Sequence, residues 1–294
     1  MNLRQVRTKI KSVNNVKKIT KAMQLVSAVK MRKAQAAAVE AEPYRSTLEE
    51  IIKKITKRID LSQSPLLIQP AEGRELVIFV SSNKGLAGTF HPNLSRFAFK
   101  QIDFDKADFI TVGKKAGSFI AGAHGKILAD FTSNAPLIDV SAIFALALGK
   151  YLSGGYRSVS VVYNKFISTL RSETVREQIL PFQLSKEFAG EVGKKEVQAD
   201  KRTSAVSDTE YIIEPAPEEM IDPLLRSFIE EKIRGAILNS EAVEHSSRMI
   251  AMKNATDNAN DVIYNLTLLS NKIRQSRITG ELLDMITAKE SVES

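Results

Sequence analysis

The chain has 294 residues, 43% hydrophobic and 26% charged, the composition of a soluble globular protein with length for one large domain or two smaller ones. It contains no Cys, which excludes a disulfide framework, a thiolate metal site and a catalytic cysteine, and His91, His124 and His245 are too far apart in sequence to form a ligand-spaced set. The formal charge of +8 is uneven: the first 39 residues hold ten bases and no acid, leaving 32 basic against 34 acidic residues for the rest.

Those ten bases are Arg4, Arg7, Lys9, Lys11, Lys17, Lys18, Lys21, Lys30, Arg32 and Lys33. They lie on a segment whose first Gly is Gly73 and which reads as one helix from residue 2 to about 60. Its apolar marks are Val6, Ile10, Val13, Val16, Ile19, Met23 and Val26, then Leu48, Ile51, Ile52 and Ile55. The phase slips after Val13, so a strict heptad is not expected. Pro43 should kink or break the helix, because it removes a backbone donor and clashes with the preceding turn. Roughly 55 residues at 1.5 Å each would span about 80 Å, too long for an ordinary surface helix. No apolar region of a signal peptide follows the charges. A mitochondrial transit peptide is the competing reading; the predominance of Lys over Arg and a pattern that continues past Val39 argue against it.

The middle, residues 74–215, has a different character. Glu75–Val80, Phe109–Val112 and Val159–Tyr163 read as buried strands, with helices over 91–102, 114–123 and 138–152. Strand–helix alternation predicts an α/β layer with a mainly parallel sheet. A polar strand, Glu173–Ile179, precedes Glu187–Thr209, whose Lys, Glu, Ser and Asp content reads as a mobile loop. Tyr211–Glu214 then reads as a short strand. Asn83-Lys84-Gly85 and Gly88 follow the first strand, where α/β folds often bind ligands. The plainer reading, which turn chemistry favours, is a tight turn with positive φ at Gly85.

From Pro223 to the end the chain reads as helix again, about 65 residues or roughly 100 Å. Leu225, Phe228, Ile229, Ile233 and Ile237 give a broad stripe. Met252, Ala255, Ala259, Val262, Leu266, Leu269 and Ile273 then step by three and four, continued by Ser276, Gly280 and Leu283. A seam position filled by Ala instead of Leu forgoes about 1–2 kcal/mol of burial, so stability borrowed from a partner helix or an enclosing protein is expected.

Catalytic chemistry is not visible. Gly113, Gly117, Gly122 and Gly125 never give a phosphate-binding spacing, and Gly125-Lys126 is followed by Ile127 instead of Ser or Thr. No dinucleotide, H-E-x-x-H or Ser/His/Asp pattern occurs. Glu49-Glu50, Glu230-Glu231 and Asp257/Asp261 lie on predicted helices and read as solvated faces. Two functions from the residues alone remain beside a structural one: a nucleic-acid-binding coiled coil using the basic helix, and an α/β enzyme with helical arms. The first lacks aromatic interleaving and any reading motif.

Three blocks resemble the gamma-subunit family of F-type ATP synthases, the central stalk. They are Ile10-Lys-Ser-Val-Asn-Asn-Val-Lys-Lys-Ile-Thr-Lys-Ala-Met23 with Met31-Arg-Lys-Ala-Gln35; Val80-Ser-Ser-Asn-Lys-Gly-Leu-Ala-Gly88; and Ser247-Arg-Met249 with Ala251–Ala259, Asn271–Gln275 and Ile278-Thr-x-Glu281. Asn83 stands where the family usually has Asp and Lys84 where Arg is common. Thr287-Ala288 replaces the usual Gly-Ala, and Ser270 replaces a common aromatic residue. The resemblance implies an α/β class with a long antiparallel coiled coil of N- and C-terminal helices (1–60 and 216–294) and a Rossmann-like α/β domain (74–215). It implies a non-catalytic rotary subunit that couples proton flow through a membrane c-ring to ATP synthesis and hydrolysis. The alpha and beta subunits would form a ring around it, and the epsilon subunit and c-ring would meet its base. It would bind no cofactor itself, ATP, ADP and Mg²⁺ being held by those partners, and no nucleic acid. Carried over by position, Arg274 and Gln275 match a polar pair at a beta-subunit catch loop. Lys18, Lys21 and Met23, with Lys84, Gly85 and Gly88, match regions near the acidic lever of beta. Tyr211 to Glu214 matches the foot on the c-ring. Core packing remains an equal reading of Met23, and a solvated face the alternative for Lys18 and Lys21. The implied location is peripheral, on the cytoplasmic face of a bacterial inner membrane, with the matrix side of the mitochondrial inner membrane as the alternative.

Overall fold

The computed structural model describes residues 2–56, 64–68, 70, 72–133, 135–182 and 214–293. Helix α1 runs Leu3–Thr56 and carries Pro43 inside it. The helix therefore continues through Pro43 without a break. The hydroxyls of Ser46 and Thr47 donate to the Pro43 carbonyl at 3.0 and 2.9 Å. Helix α5 runs Pro217–Glu293, starting ahead of the expected Pro223. Pro217 occupies the first helical position, where a missing N–H costs nothing, and Glu218 and Glu219 favour the positive end of the helix dipole. Thr20 of α1 meets Thr256 of α5, and Arg45 of α1 approaches Gly235 of α5.

Between them lie β1 (Arg74–Val80), α2 (Phe90–Gln101), β2 (Ala107–Val112), α3 (Lys114–Gly122), β3 (Lys126–Phe131), α4 (Val140–Leu152), β4 (Tyr156–Phe166) and β5 (Ser172–Leu180). The sheet order is β3-β2-β1-β4-β5. The first four strands are parallel and β5 runs antiparallel to β4. Strand β3 was not anticipated. It is a half-exposed edge strand, Lys-Ile-Leu-Ala-Asp-Phe, with one β-branched residue, and pairing with β2 holds it. Glu187–Thr209, and the expected strand Tyr211–Glu214 apart from Glu214 itself, lie outside the described residues.

A parallel strand buried on both faces reads as a continuous apolar run, and β1 is such a run. Leu76, Ile78 and Val80 face one core with α4, Leu48, Ile52 and Ile55 of α1, and Leu225 to Ile237 of α5. Val77 and Phe79 face the other, with Leu94 and Ala98 of α2 and Ala116 and Ile120 of α3. The chain divides into two compact units. One comprises Met31–Gly85 and Thr89–Glu244, so the sheet unit takes in the later part of α1 and the start of α5. The other comprises Met1–Lys30, Leu86–Gly88 and His245–Ser294, essentially a pair of helices.

One carboxylate ties the N-terminal ends of the four parallel strands. Asp108 of β2, 1% exposed, accepts from Arg74 Nε of β1 at 2.8 Å, Lys126 Nζ of β3 at 3.2 Å and Tyr156 Oη of β4 at 2.7 Å. Burial alone would raise the Asp108 pKa, but the bonds from Tyr156, Lys126 and Arg74 outweigh it and hold the carboxyl below its ordinary 3.8. Burial and the bond to Asp108 push the Tyr156 hydroxyl up to about 12. A carboxyl whose folded pKa is depressed stabilises the fold above its unfolded pKa, and that contribution is lost as pH falls through the folded value. Asp108→Asn should therefore cost about 2–3 kcal/mol in urea unfolding at neutral pH, the scale of hydrogen bonds to a buried charge. The gap between variant and wild type should close as the pH is taken below the carboxylate range.

Candidate functional site

The two-helix unit is built on a seam that is mostly small or polar. On α1 the inward positions are Val6, Ile10, Val13, Lys17, Thr20, Gln24 and Ser27, each buried or half-buried. They step by four and three without interruption, so the phase does not slip after Val13. The heptad simply passes through polar residues. On α5 the inward positions are Met252, Thr256, Ala259, Ile263, Leu266, Ser270 and Ile273. Met252, Ala259, Leu266 and Ile273 were expected there. The alternate positions are Thr256, Ile263 and Ser270, in place of Ala255, Val262 and Leu269. Ala255 is half-buried, while Val262 and Leu269 are 42% and 37% exposed; Ser276 and Leu283 also lie outside.

The buried pair Thr20 and Thr256 selects this face, with their hydroxyl oxygens 2.8 Å apart. Each hydroxyl also reaches back to its own helix, Thr20 to the Lys17 carbonyl at 3.0 Å and Thr256 to the Met252 carbonyl at 2.8 Å. Thr tolerates a helical seam because its Oγ1 can satisfy itself on the preceding turn. Two hydroxyl protons serve these three contacts, so one hydroxyl donates across the seam while the other donates to its own helix; a slip would forfeit that one cross-helix bond while both hydroxyls kept an intrahelical acceptor.

The apolar residues displaced from this seam lie outside. Val16, Ile19, Leu25, Val26 and Val29 on α1 are 53–68% exposed, and Leu268, Ile278, Leu282, Leu283, Met285 and Ile286 on α5 are 50–68% exposed. Burying one such side chain is worth roughly 1.5–3 kcal/mol, so the face as a whole is a surface to be covered. It is interleaved with cations. Lys18, Lys21, Lys30, Arg4, Arg7, Lys9 and Lys11 are exposed, and among the described residues none of the ten N-terminal bases is in an ion pair. No group of His, Asp and Glu among the described residues could hold a metal ion. No helix there is long and apolar enough to cross a membrane.

The ATP synthase family model matches residues 2–292. A relative named "ATP synthase gamma chain" from Akkermansia muciniphila is 34% identical over 99% of both chains, and one of the same name from Geobacter sp. (strain M21) is 35% identical over 99% of both. This chain belongs to the ATP synthase gamma-chain family. Solved structures agree on the fold of this gamma-family chain. A chain of the Euglena gracilis mitochondrial ATP synthase, in an assembly of OSCP, F1 and c-ring, superposes with TM-score 0.65 at 16% identity, covering 99% of this chain and 94% of that one. One from the central stalk and c-ring of the Tetrahymena thermophila enzyme gives 0.55 at 21% identity, covering 81% and 99%.

The gamma-family motif residues fall as follows. Lys18, Lys21, Met23, Gly88, Arg274 and Gln275 belong to the helix-pair unit. Lys18, Arg274 and Gln275 are exposed; Lys21 is exposed and donates to Gln24 Oε1 at 3.3 Å; Met23 is half-buried at the edge of the seam. Lys84 and Gly85 belong to the sheet unit, Lys84 exposed and Gly85 half-buried. Glu214 is exposed ahead of α5, and Tyr211 lies outside the described residues. The turn after β1 differs from expectation: positive φ occurs at Leu86 (60°) and Gly88 (56°), not at Gly85. A Cβ on Gly88 would meet Ala251 Cβ and the Ser247 carbonyl at 3.6 Å, ordinary contact, so backbone conformation and not space calls for glycine there. The Thr20–Thr256 contact escaped sequence reasoning. Its signal was present, since the heptad continued from Val13 lands on Thr20.

Substitutions separate seam from surface. Val6→Ala removes a fully buried side chain and should cost about 1–3 kcal/mol in urea or thermal unfolding. Val16→Ser and Val26→Ser should each change stability by no more than about 0.5 kcal/mol, the opposite of what a seam through Val16 and Val26 requires.

Proposed function

We propose that this gamma-family chain is the rotary central-stalk subunit of the F1 sector of an F-type ATP synthase. It is a non-catalytic part that carries torque between a proton-driven c-ring and the nucleotide sites of its partners. The observation that carries the reading is the helix pair that keeps small and polar residues in its own seam and turns its aliphatic residues and unpaired cations outward. Such a rod is incomplete alone and suited to an enclosing sleeve. The names of its relatives and the c-ring assemblies of its structural neighbours support that reading.

The sleeve is a ring of alpha and beta subunits, which bind ATP, ADP and Mg²⁺; this chain takes no cofactor of its own. Lys18, Lys21 and Lys84 face acidic levers on beta, and Arg274 and Gln275 touch a catch loop. Tyr211 and Glu214 belong to the foot that meets the c-ring, beside the epsilon subunit. The protein is a peripheral part of a membrane-bound complex, on the cytoplasmic face of a bacterial inner membrane. A rotor must pass equivalent partners without being trapped. Exposed charge pairs are worth about 0–1 kcal/mol each and are screened beyond about 8 Å at physiological salt. They guide the shaft without locking it, whereas a deep apolar interlock would hold one position.

Reconstitution tests this reading. Alpha and beta subunits should give proton-coupled turnover only when this chain is present, and equal coupled activity without it would sink the proposal. Replacing Lys18 and Lys21 together by Glu should lower turnover of the reconstituted complex roughly 3–10-fold at low ionic strength, the gap narrowing as salt is raised. A salt-independent defect would assign those lysines a role other than electrostatic guidance.

A further inference from the structure

The loop that follows β1 is held from two sides. Asn83 donates from Nδ2 to the Ser133 carbonyl at 2.7 Å and accepts at Oδ1 from the Lys114 N–H at 2.9 Å. One side chain thereby joins the segments that follow β1, β2 and β3. On the other side Ser82 Oγ donates to the Lys84 carbonyl at 2.9 Å. His91 Nε2 lies 3.3 Å from that same carbonyl, and its Nδ1 lies 3.2 Å from Ser81 Oγ. The backbone adds Ser81 N–H to the Val112 carbonyl at 2.9 Å and Lys115 N–H to the Ser82 carbonyl at 3.0 Å. Gly113, with φ +94°, permits this approach: a Cβ there would stand 2.9 Å from the Ser82 carbonyl carbon and 3.0 Å from the Ser81 oxygen.

In this chain the side chain at position 83 is used twice. A primary amide donates and accepts at once, and both functions are used here. A carboxylate would keep the bond from Lys114 N–H but would set an anion against the Ser133 carbonyl. Alanine would lose both tethers. Beside this anchored residue Lys84 is exposed.

We propose that Asn83 is a positioning residue. By binding the β1 loop to Ser133 and to the first turn of α3, it fixes where the exposed Lys84 meets the acidic surface of a partner. His91 and Ser82 secure the loop from the opposite side. The inference rests on the assignment of Lys84 as a coupling contact made under the proposed function.

The test uses the assembled, membrane-reconstituted complex with Asn83→Ala, Lys84→Ala and the double variant Asn83→Ala/Lys84→Ala. The readouts are ATP-driven proton pumping per ATP hydrolysed, kcat and KM for ATP, and the thermal midpoint of the complex. Asn83→Ala should lower the pumping-to-hydrolysis ratio about threefold, in keeping with loss of its hydrogen bonds, with KM and thermal midpoint unchanged. Added to Lys84→Ala, Asn83→Ala should cause no further loss, because its effect passes through that lysine. A wild-type ratio for Asn83→Ala, a loss that adds to that of Lys84→Ala, or a loss that tracks a lower thermal midpoint overturns the positioning role. A silent Lys84→Ala overturns the coupling contact itself and the positioning role with it. A defective Lys84→Ala beside a silent Asn83→Ala removes the positioning role alone.

Discussion

Everything in the helix-pair unit follows from what fills its seam. Two helices of this length would be held more tightly by Leu and Ile at every inward position, yet Thr20, Ser27, Thr256, Ala259 and Ser270 occupy that line. Small and hydroxylated side chains bury little area, so the pair gains less from self-association than a coiled coil of this length can. The Thr20–Thr256 contact adds one cross-helix hydrogen bond that a slipped register would forfeit. With small and polar residues in the interior, the aliphatic residues are left for the outside, where covering them would add stability.

The sheet unit solves a different problem with the same economy. A parallel sheet has its strand starts along one edge and its functional loops along the other. Along the first edge, Asp108 links four strands through one buried charge. Along the second, Asn83 links three successive segments through one amide. Tension applied to any one loop is therefore shared by its neighbours. Gly113 makes the sharing possible by letting the backbone after β2 lie against Ser81 and Ser82.

Much of this was legible from residues alone, and the exceptions have physical causes. The long helices were visible because apolar periodicity without Gly is a cumulative signal, and β1, β2 and β4 because each is a continuous buried run. Strand β3 was hidden because an edge strand bears half the burial of a central one and shows neither alternation nor an apolar run. The helix seam was misread for a related reason. Hydrophobicity marks a face that is buried somewhere, and in Val16, Ile19, Val26, Val262 and Leu269 that face looks away from the partner helix. A break at Pro43 and a start at Pro223 were expected, yet both prolines lie inside helices, where one missing bond is absorbed. Left-handed backbone at Leu86 instead of Gly85 shows that glycine identity alone does not place a turn.

The outward aliphatic face also bears on the life of the polypeptide before assembly. A copy released from the ribosome with no sleeve to enter presents Val16, Ile19, Val26, Leu282 and Met285 to water together with a long cationic stripe. Such a surface recruits holdases, proteases and other copies of itself. Under the proposed function, its survival is set by how soon the enclosing subunits arrive, so any surplus over them is self-limiting. On that reading, production of this chain in step with its partners follows from the geometry of its helices.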